Sequence, residues 1–207
     1  MDKAIKVILF DLGNVLIDVD YGAAVKRIMH FCRKQDQDLV GTLMRSEITG
    51  FFEEGRFSAQ EFFMKLKELI GLEISYERFV PIWNEIFFLS AKNRFVYSIA
   101  NSLRQNYKIA ILSNINILHY DYISMHFPIF SIFDEVFVSF KMGAIKPQPV
   151  IYRKATEALG VMPDEIFYTD DREDLVKSAE ALGIKSFLFT GVDKLRRDLE
   201  GLGVLLS

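Results

Sequence analysis

The stretch Val7-Ile-Leu-Phe-Asp-Leu-Gly-Asn-Val-Leu16 decides how this chain folds. Its apolar run before Asp11 is typical of a buried parallel strand, and a glycine and an asparagine follow where such a strand ends. Ligands of open α/β sheets bind at the carboxyl ends of the strands. Because an isolated carboxylate there loses solvation, Asp11 predicts a metal ion, a charged partner or a reaction at this point.

Four further β-like runs predict a sheet of five strands. The runs are rich in Val, Ile, Phe and Tyr, and with the first they are Ile5–Phe10, Lys108–Ser113, Glu135–Ser139, Glu165–Thr169 and Lys185–Phe189. Helical patterns separate the later runs: Phe95, Ile99 and Leu103 repeat at a four-residue step, while Pro149 and Gly160 fit the two ends of another helix. This alternation predicts an α/β protein whose parallel sheet carries helices on both faces.

Residues 18–90 interrupt the alternation. They contain several consecutive helical patterns and no convincing strand, including a capping box at Ser58-Ala-Gln-Glu61 and a helix over Tyr76–Phe88 that Pro81 starts or interrupts. We therefore expect residues 1–17 and 91–207 to form the α/β domain. Residues 18–90 are expected to form an all-helical insertion after the first strand.

Composition limits the class of protein. The 207 residues carry a formal net charge of −3, which argues against a nucleic-acid partner. A single cysteine, Cys32, allows no internal disulfide. The first apolar run is too short for a signal peptide, and charged residues and a proline break the Phe-rich segment Phe127–Phe140. We expect a cytoplasmic monomer or homodimer without a membrane partner.

Polar residues follow the predicted strands at four points, and neighbouring strand ends should bring them to one crevice. They are Asp11, Ser113-Asn114, Lys146-Pro147 and Asp170-Asp171. Three carboxylates in one crevice repel one another, so Mg²⁺ is a natural occupant. A carboxylate can also attack phosphorus, and a lysine, a hydroxyl and a metal ion stabilise the transferring phosphoryl group.

These four points resemble the motifs of the haloacid dehalogenase-like (HAD) superfamily of phosphatases. The matching segments, in the order of the superfamily's motifs, are Phe10-Asp-Leu-Gly-Asn-Val15, Leu112-Ser-Asn114, Lys146-Pro147 and Tyr168-Thr-Asp-Asp171. The form of the first segment, together with Asn116 and His119, is most similar to the subgroup of α-D-glucose-1-phosphate phosphatases. The likeness covers nearly the whole chain.

The resemblance implies a Rossmann-like sheet of strand order 5-4-1-2-3 with residues 18–90 as a helical cap over the site. It also implies hydrolysis of a small phosphorylated metabolite, such as a sugar phosphate, with Mg²⁺ and an aspartyl-phosphate intermediate. Asp11 is then the nucleophile and a metal ligand, and Ser113 and Lys146 bind the phosphoryl group. The carbonyl of Gly13 and the carboxylates of Asp170 and Asp171 complete the metal site.

Three further residues are candidate contacts of the substrate. Asn114 and Asn116 lie beside the second motif, and Arg56 belongs to a turn of the insertion, Glu53-Glu-Gly-Arg56. Most charged turns are solvated, and this turn is a candidate only because the cap is expected to cover the site.

One departure from the superfamily pattern bears directly on the chemistry. Most of its phosphatases carry a second aspartate, the general acid and base, where this chain has Gly13. Loss of such a group lowers the rate by about 10²–10⁴-fold. A sugar 1-phosphate needs less protonation, and Asp18, Asp20 or His119 are candidate proton donors. Two alternatives stay open: a haloacid dehalogenase, which needs no metal, and a catalytically silent binding protein.

Overall fold

The strands of the protein form one large sheet and one short pair. The computed structural model describes residues 4–33 and 46–205. Its strands are β1 (Val7–Phe10), β2 (Asp18–Val19), β3 (Phe87–Phe88), β4 (Lys108–Ser113), β5 (Glu135–Val138), β6 (Ile166–Asp170) and β7 (Lys185–Leu188). Five of them pair in parallel in the order β5-β4-β1-β6-β7. Numbered along the chain as the five predicted strands, this is the expected order 5-4-1-2-3, which is confirmed.

The described residues contain ten α-helices, several of which the sequence predicts. They are α1 (Tyr21–Met29), α2 (Glu47–Glu53), α3 (Ala59–Ile70), α4 (Tyr76–Asn84), α5 (Ala91–Leu103), α6 (Ile117–His126), α7 (Ser139–Met142), α8 (Pro149–Leu159), α9 (Glu173–Glu180) and α10 (Val192–Gly201). The capping box at Ser58 and Glu61 is present, as are the first-turn position of Pro149 and the left-handed Gly160 after α8. No helix within the described residues is long and apolar enough to cross a bilayer.

Helices cover both faces of the sheet, so β1 is buried on both sides. Ile8 and Phe10 point into a core that α5 and α10 complete. Val7 and Leu9 point the other way, into a core that α8 and α9 complete. This alternation follows from the period of two along a strand. The central strand therefore holds Asp11 at the end of a segment that cannot shift without unpacking two cores.

One detail of the predicted helix face of α5 is wrong. Phe95 is 59% exposed, and the buried stripe of α5 contains Val96 and Ala100 beside Ile99 and Leu103. Four residues make more than one turn of a helix with 3.6 residues per turn, so residues at this spacing rotate gradually away from the buried face. Phe95 lies outside that face. A large aromatic side chain at that step is thus a poor marker of burial.

The insertion has a core of its own, built largely from aromatic side chains. Phe52 and Phe62 stack with ring centroids 4.1 Å apart, and Phe79 and Trp83 pack beside them. The expectation of no strand in this segment is wrong, because β2 and β3 pair antiparallel where the chain enters and leaves it. For the same reason α4 ends at Asn84 and not at Phe88. The proposed boundaries at residues 17 and 91 stay a prediction.

Candidate active site

Two neighbouring strand ends place two carboxylates side by side. The backbone N–H of Asp11 donates to the Thr169 carbonyl at 2.9 Å, which extends the pairing of β1 with β6. Asp170, the last residue of β6, is fully buried, and Asp11 is 7% exposed. The expected convergence of strand ends therefore occurs, and it removes both carboxylates from bulk water.

An ammonium group lies between these carboxylates. Lys146 Nζ donates to Asp11 Oδ1 at 2.7 Å, to Asp170 Oδ2 at 2.6 Å and to the Tyr168 hydroxyl oxygen at 3.1 Å. Burial alone would lower the pKa of Lys146, but Asp11 and Asp170 raise it above its ordinary value. The lysine therefore stays charged in a buried position, which requires such partners.

Asn114 holds the loop that carries this lysine. Its Oδ1 accepts from the Lys146 backbone N–H at 2.7 Å, and its Nδ2 donates to the Lys146 carbonyl at 2.8 Å. Both ends of the amide are thus engaged with the backbone. The side chain therefore orients Lys146, and the prediction that Asn114 contacts substrate stays a prediction.

Asp171 completes an acidic cluster. Asp11, Asp170 and Asp171 each offer one carboxylate oxygen, and these three atoms lie within 4.8 Å of one another. Asn14 Nδ2 donates to Asp171 Oδ2 at 2.9 Å, and Lys92 Nζ donates to the Asn14 carbonyl at 2.8 Å. The cluster therefore has a fixed orientation, and one of its members is held by a residue of the first motif.

The charge of the cluster favours a cation. Burial raises the pKa of Asp11 to about 7 although Lys146 opposes this, and burial also raises the pKa of Asp171. Three carboxylates face one ammonium, so a hard divalent cation would relieve their repulsion. Among residues 4–33 and 46–205, no N–H or O–H group donates to the carbonyl of Gly13, which leaves another oxygen donor beside Asp11. The donor set fits Mg²⁺.

Ser113 ends β4 next to these groups. Its side chain is buried, and its hydroxyl is 3.5 Å from the Asn114 carbonyl oxygen, at the limit of a hydrogen bond. The hydroxyl is therefore available to a ligand at the strand ends. With Lys146 it supplies the donors that an anionic group requires.

Comparison with known proteins supports the reading of the four motifs. The model of the haloacid dehalogenase-like hydrolase family matches residues 8–189. The chain belongs to this family. The match includes the insertion and all four groups of strand-end residues, so the whole candidate site lies within the part of the chain that matches the family.

Relatives of this hydrolase include characterised enzymes. D-ribitol-5-phosphate phosphatase of Bacteroides thetaiotaomicron is 29% identical over 192 residues, which cover 88% of this chain and 91% of the relative. A solved HAD enzyme of that organism, in complex with magnesium and inorganic phosphate, has a TM-score of 0.79 at 27% identity, with 89% and 94% of the chains covered. A predicted HAD-like hydrolase of Porphyromonas gingivalis has a TM-score of 0.80 at 27% identity, with 95% and 98% covered.

Asn116 and His119 of the hydrolase join α6 to the insertion. His119 Nε2 lies 3.2 Å from the Trp83 carbonyl oxygen, and its Nδ1 lies 3.0 Å from Asn116 Nδ2. Because a carbonyl only accepts, the proton sits on Nε2 and Nδ1 accepts from the amide. Burial lowers the pKa of His119 to about 4. Both side chains are thus engaged in hydrogen bonds, and the roles of Asn116 as a substrate contact and of His119 as a proton donor stay predictions.

Two other predicted proton donors are also engaged. Asp18 forms an ion pair with Lys92 and accepts from Asn93 Nδ2 at 3.3 Å. Asp20 caps α1 by accepting from the Ala23 N–H at 3.0 Å. Both carboxylates therefore have other partners, and their roles as the missing acid of this hydrolase stay predictions.

Arg56 stays within its own turn. Its guanidinium pairs with Glu54 and lies 4.6 Å from the centroid of the Phe51 ring. Among the residues that the structure describes, it has no contact with Asp11 or Lys146. The role of Arg56 as a substrate contact remains a proposal, and the geometry shows it as a support of the turn.

Sequence patterns missed two residues that face the site. Tyr168 donates its hydroxyl proton to Asp170, and a period of two along β6 would have placed both on one face. Glu53 ends α2, and the charges that act on its carboxyl group are those of Arg172 and Lys146. The sequence marked the turn that contains Glu53 but favoured Arg56, and only the docking of the insertion brings the Glu53 carboxyl group near these charges.

The turn of residues 53–56, here called the cap turn, is pressed against the α/β domain. Gly55 has a φ of +74°, and a Cβ atom there would lie 2.3 Å from the Phe140 carbonyl oxygen. Ser139 Oγ, which accepts from the Ile115 N–H at 2.9 Å, donates to the Glu53 carbonyl at 2.7 Å. The turn therefore depends on a glycine and on a hydroxyl of the domain below it.

Gly55→Ala tests this docking. We expect it to lower the free energy of unfolding by about 2–4 kcal/mol, because strain at positive φ and a backbone clash add. Gly143→Ala is the matched control, since Gly143 has a φ of +66° but no atom within 4 Å of an added Cβ. It should lose only about 1–2 kcal/mol. Urea denaturation measures both, and equal losses would contradict the close approach at Gly55.

Proposed function

We propose that the chain is a Mg²⁺-dependent phosphomonoesterase for a small phosphorylated sugar or sugar alcohol, acting through an aspartyl-phosphate. The observation that carries the proposal is the Lys146 ammonium, which bridges Asp11 and Asp170 while Asp171 lies within metal-sharing distance. A charge pattern of this kind suits a phosphate group and a divalent cation together. The likeness to a ribitol phosphate phosphatase and to a magnesium–phosphate complex supports it.

Each residue then has a defined role. A carboxylate oxygen of Asp11 attacks phosphorus, and the bond to the leaving oxygen breaks on the opposite side. Lys146 and Ser113 donate hydrogen bonds to the phosphoryl oxygens as charge develops. Asp11, Asp171 and the Gly13 carbonyl would hold Mg²⁺, with Asp170 as a further ligand or as the group that orients Lys146. Mg²⁺ supplies charge neutralisation for the phosphoryl oxygens.

The second half-reaction releases phosphate. Water attacks the phosphorus of the aspartyl-phosphate, and the Asp11 carboxylate leaves. As a cap over the strand ends, the insertion would exclude bulk water and select the leaving group. This arrangement makes the alcohol part of the substrate the part that the insertion recognises.

A screen of phosphate release tests the proposed function. The panel contains sugar 1-phosphates, sugar 6-phosphates, pentitol phosphates and p-nitrophenyl phosphate, each with and without Mg²⁺. We expect Mg²⁺-dependent turnover of at least one sugar or sugar alcohol phosphate. Absence of release from every ester, with Mg²⁺ still bound by the protein, would favour the silent binding protein instead.

Removal of the metal ion is expected to abolish most of the activity. EDTA should lower kcat/KM by about 10²–10⁴-fold, since Lewis-acid stabilisation of the transition state is worth several kcal/mol. Excess Mg²⁺ should restore the rate fully. The measurement is phosphate release before and after chelation and repletion. Chloride release from 2-chloropropionate that persists in EDTA would identify a dehalogenase and contradict the proposed function.

A further inference from the structure

The cap turn lies against the loops that carry the phosphate-binding groups. Its first residue is tied to Ser139 through the backbone, and Glu54 accepts a hydrogen bond from Gln148, two residues after Lys146. Gly55 lies against the Phe140 backbone. These three contacts fix the backbone of the turn relative to α7 and to the loop that carries Lys146.

Glu53 is the residue of this turn whose carboxyl group lies within electrostatic reach of the site. Burial raises the pKa of its carboxyl group, and the positive charges of Arg172 and Lys146, both in the α/β domain, act to lower it. Within the insertion, burial and the charge of Glu53 raise the pKa of Tyr21 of α1. The side chain is half-buried. Among residues 4–33 and 46–205, no group forms a hydrogen bond or ion pair with its carboxylate. Such a carboxyl group, near cations but without a fixed partner, is available to a substrate.

The pKa of Glu53 lies near neutral pH. Burial raises its pKa to about 7, and the positive charges of Arg172 and Lys146 oppose the rise without cancelling it. An acid that must give and take a proton works best when its pKa is near the working pH. Both forms of Glu53 are therefore accessible under ordinary conditions.

The proposed reaction lacks an acid on the side of the leaving group. In an in-line displacement the leaving oxygen lies opposite Asp11 and points away from the sheet, towards the insertion. Gly13 offers no side chain, and the carboxylates of Asp18 and Asp20 are engaged elsewhere. Alkyl alcohols, unlike phenols, leave poorly as anions, so a proton donor is needed for a sugar alcohol phosphate.

We propose that Glu53, supplied by the cap turn, is the general acid and base of this hydrolase; the proposal rests on the proposed phosphatase function. As Asp11 bonds to phosphorus and the P–O bond to the alcohol breaks, the Glu53 carboxylic acid gives its proton to the leaving oxygen. The resulting Glu53 carboxylate then takes a proton from the water that attacks the aspartyl-phosphate. Phosphate leaves, and both carboxyl groups return to their starting forms.

The substitution Glu53→Gln separates this role from packing. With an alkyl phosphate from the screen, we expect kcat to fall by about 10²–10⁴-fold. With p-nitrophenyl phosphate, whose leaving group needs no proton, the first step survives and the second is slow. We therefore expect a burst of one p-nitrophenolate per enzyme before slow turnover. Glu47→Gln, an exposed position on the same helix, should behave as the wild type.

The pH profile supplies a second readout. For the alkyl phosphate, kcat/KM of the wild type should fall about tenfold per pH unit above about pH 7, because the acid form of Glu53 is lost. Lys146 stays charged in this range and the pKa of Tyr21 lies above its ordinary value, so neither produces this fall. Glu53→Gln should lack the descending limb, while ionisation of the substrate is common to both proteins.

A carboxylate at residue 13 should replace the lost group. A Cβ atom on Gly13 would meet only Val19 Cγ2 at 3.7 Å, an ordinary contact. Gly13→Asp in the Glu53→Gln background should therefore fold and raise turnover of the alkyl phosphate at least tenfold over Glu53→Gln alone. Failure of this rescue, with Mg²⁺ binding and folding intact, would contradict the assignment of the defect to proton transfer.

The outcomes distinguish the two proposals. Wild-type rates in Glu53→Gln with both esters would overturn the role of Glu53 and leave the phosphatase intact. Equal losses with both esters, no burst and a lower thermal midpoint would show a structural role and also overturn it. A wild type as inactive as Asp11→Asn with every ester would refute the phosphatase function itself.

Discussion

Asp11→Asn is expected to lower kcat for phosphate release by about 10⁵-fold or more, as loss of a catalytic nucleophile does elsewhere. The asparagine side chain has nearly the same shape as aspartate and keeps an oxygen that can accept a hydrogen bond from Lys146. In the wild type, Lys146 Nζ lies 2.7 Å from Asp11 Oδ1. It cannot form an aspartyl-phosphate, because its carbonyl oxygen is a poor nucleophile. The measurement is inorganic phosphate release under saturating Mg²⁺ and substrate.

A matched substitution shows that the loss is chemical. Asp134 Oδ2 accepts from the Ile109 N–H at 2.9 Å, where β4 begins, far from the carboxyl ends of the strands. Asp134→Asn keeps an oxygen acceptor there and should retain wild-type turnover. Both variants should keep the wild-type circular dichroism spectrum. Substantial turnover by Asp11→Asn would refute the covalent mechanism.

Lys146→Met is expected to have the largest effect on stability. Removal of the ammonium leaves Asp11 and Asp170 buried without a counter-charge, and breaking a buried pair in this way costs about 3–5 kcal/mol. Turnover should also fall by about 10²–10³-fold, because one donor to the developing phosphoryl charge is lost. Urea denaturation without Mg²⁺ and steady-state kinetics with Mg²⁺ measure the two effects.

The control for this substitution lies five residues earlier. Lys141 is exposed and its ammonium lies over the Tyr120 ring at 4.2 Å. Lys141→Met should change the free energy of unfolding by about 1 kcal/mol or less. Mg²⁺ should stabilise Lys146→Met more than it stabilises the wild type, since the cation then supplies the missing positive charge. Equal losses of unfolding free energy in the two variants would contradict the role of Lys146 as the counter-charge of Asp11 and Asp170.

Several features of the fold were predictable because their causes are local. The alternation of buried side chains in β1 follows from residues 7–10 themselves, and the capping box of α3 lies within four residues. The edge of the sheet that bears the site followed from the parallel arrangement alone. Asp11, Lys146 and Asp170 therefore met as expected.

Other features depend on packing that no local pattern encodes. Asn114 and Asn116 are polar residues beside a motif, but one orients Lys146 and the other holds His119. Phe95 has the residue type and spacing of a core residue and is exposed. The sequence also predicts no strand at residues 87–88, where pairing with β2 overrides the helical pattern.

The sequence by itself determined the five strands of the large sheet and several of the helices, because periodicity, capping and turn preferences act over a few neighbours. Only the tertiary structure decided the contacts that these residues make with one another and the pKa values of the buried groups among them. Lys146 and Asp11 are 135 residues apart in the chain, and Asn14 and Asp171 are 157 apart. Burial and long-range charge, which set the pKa of Glu53, exist only after the insertion has docked on the sheet.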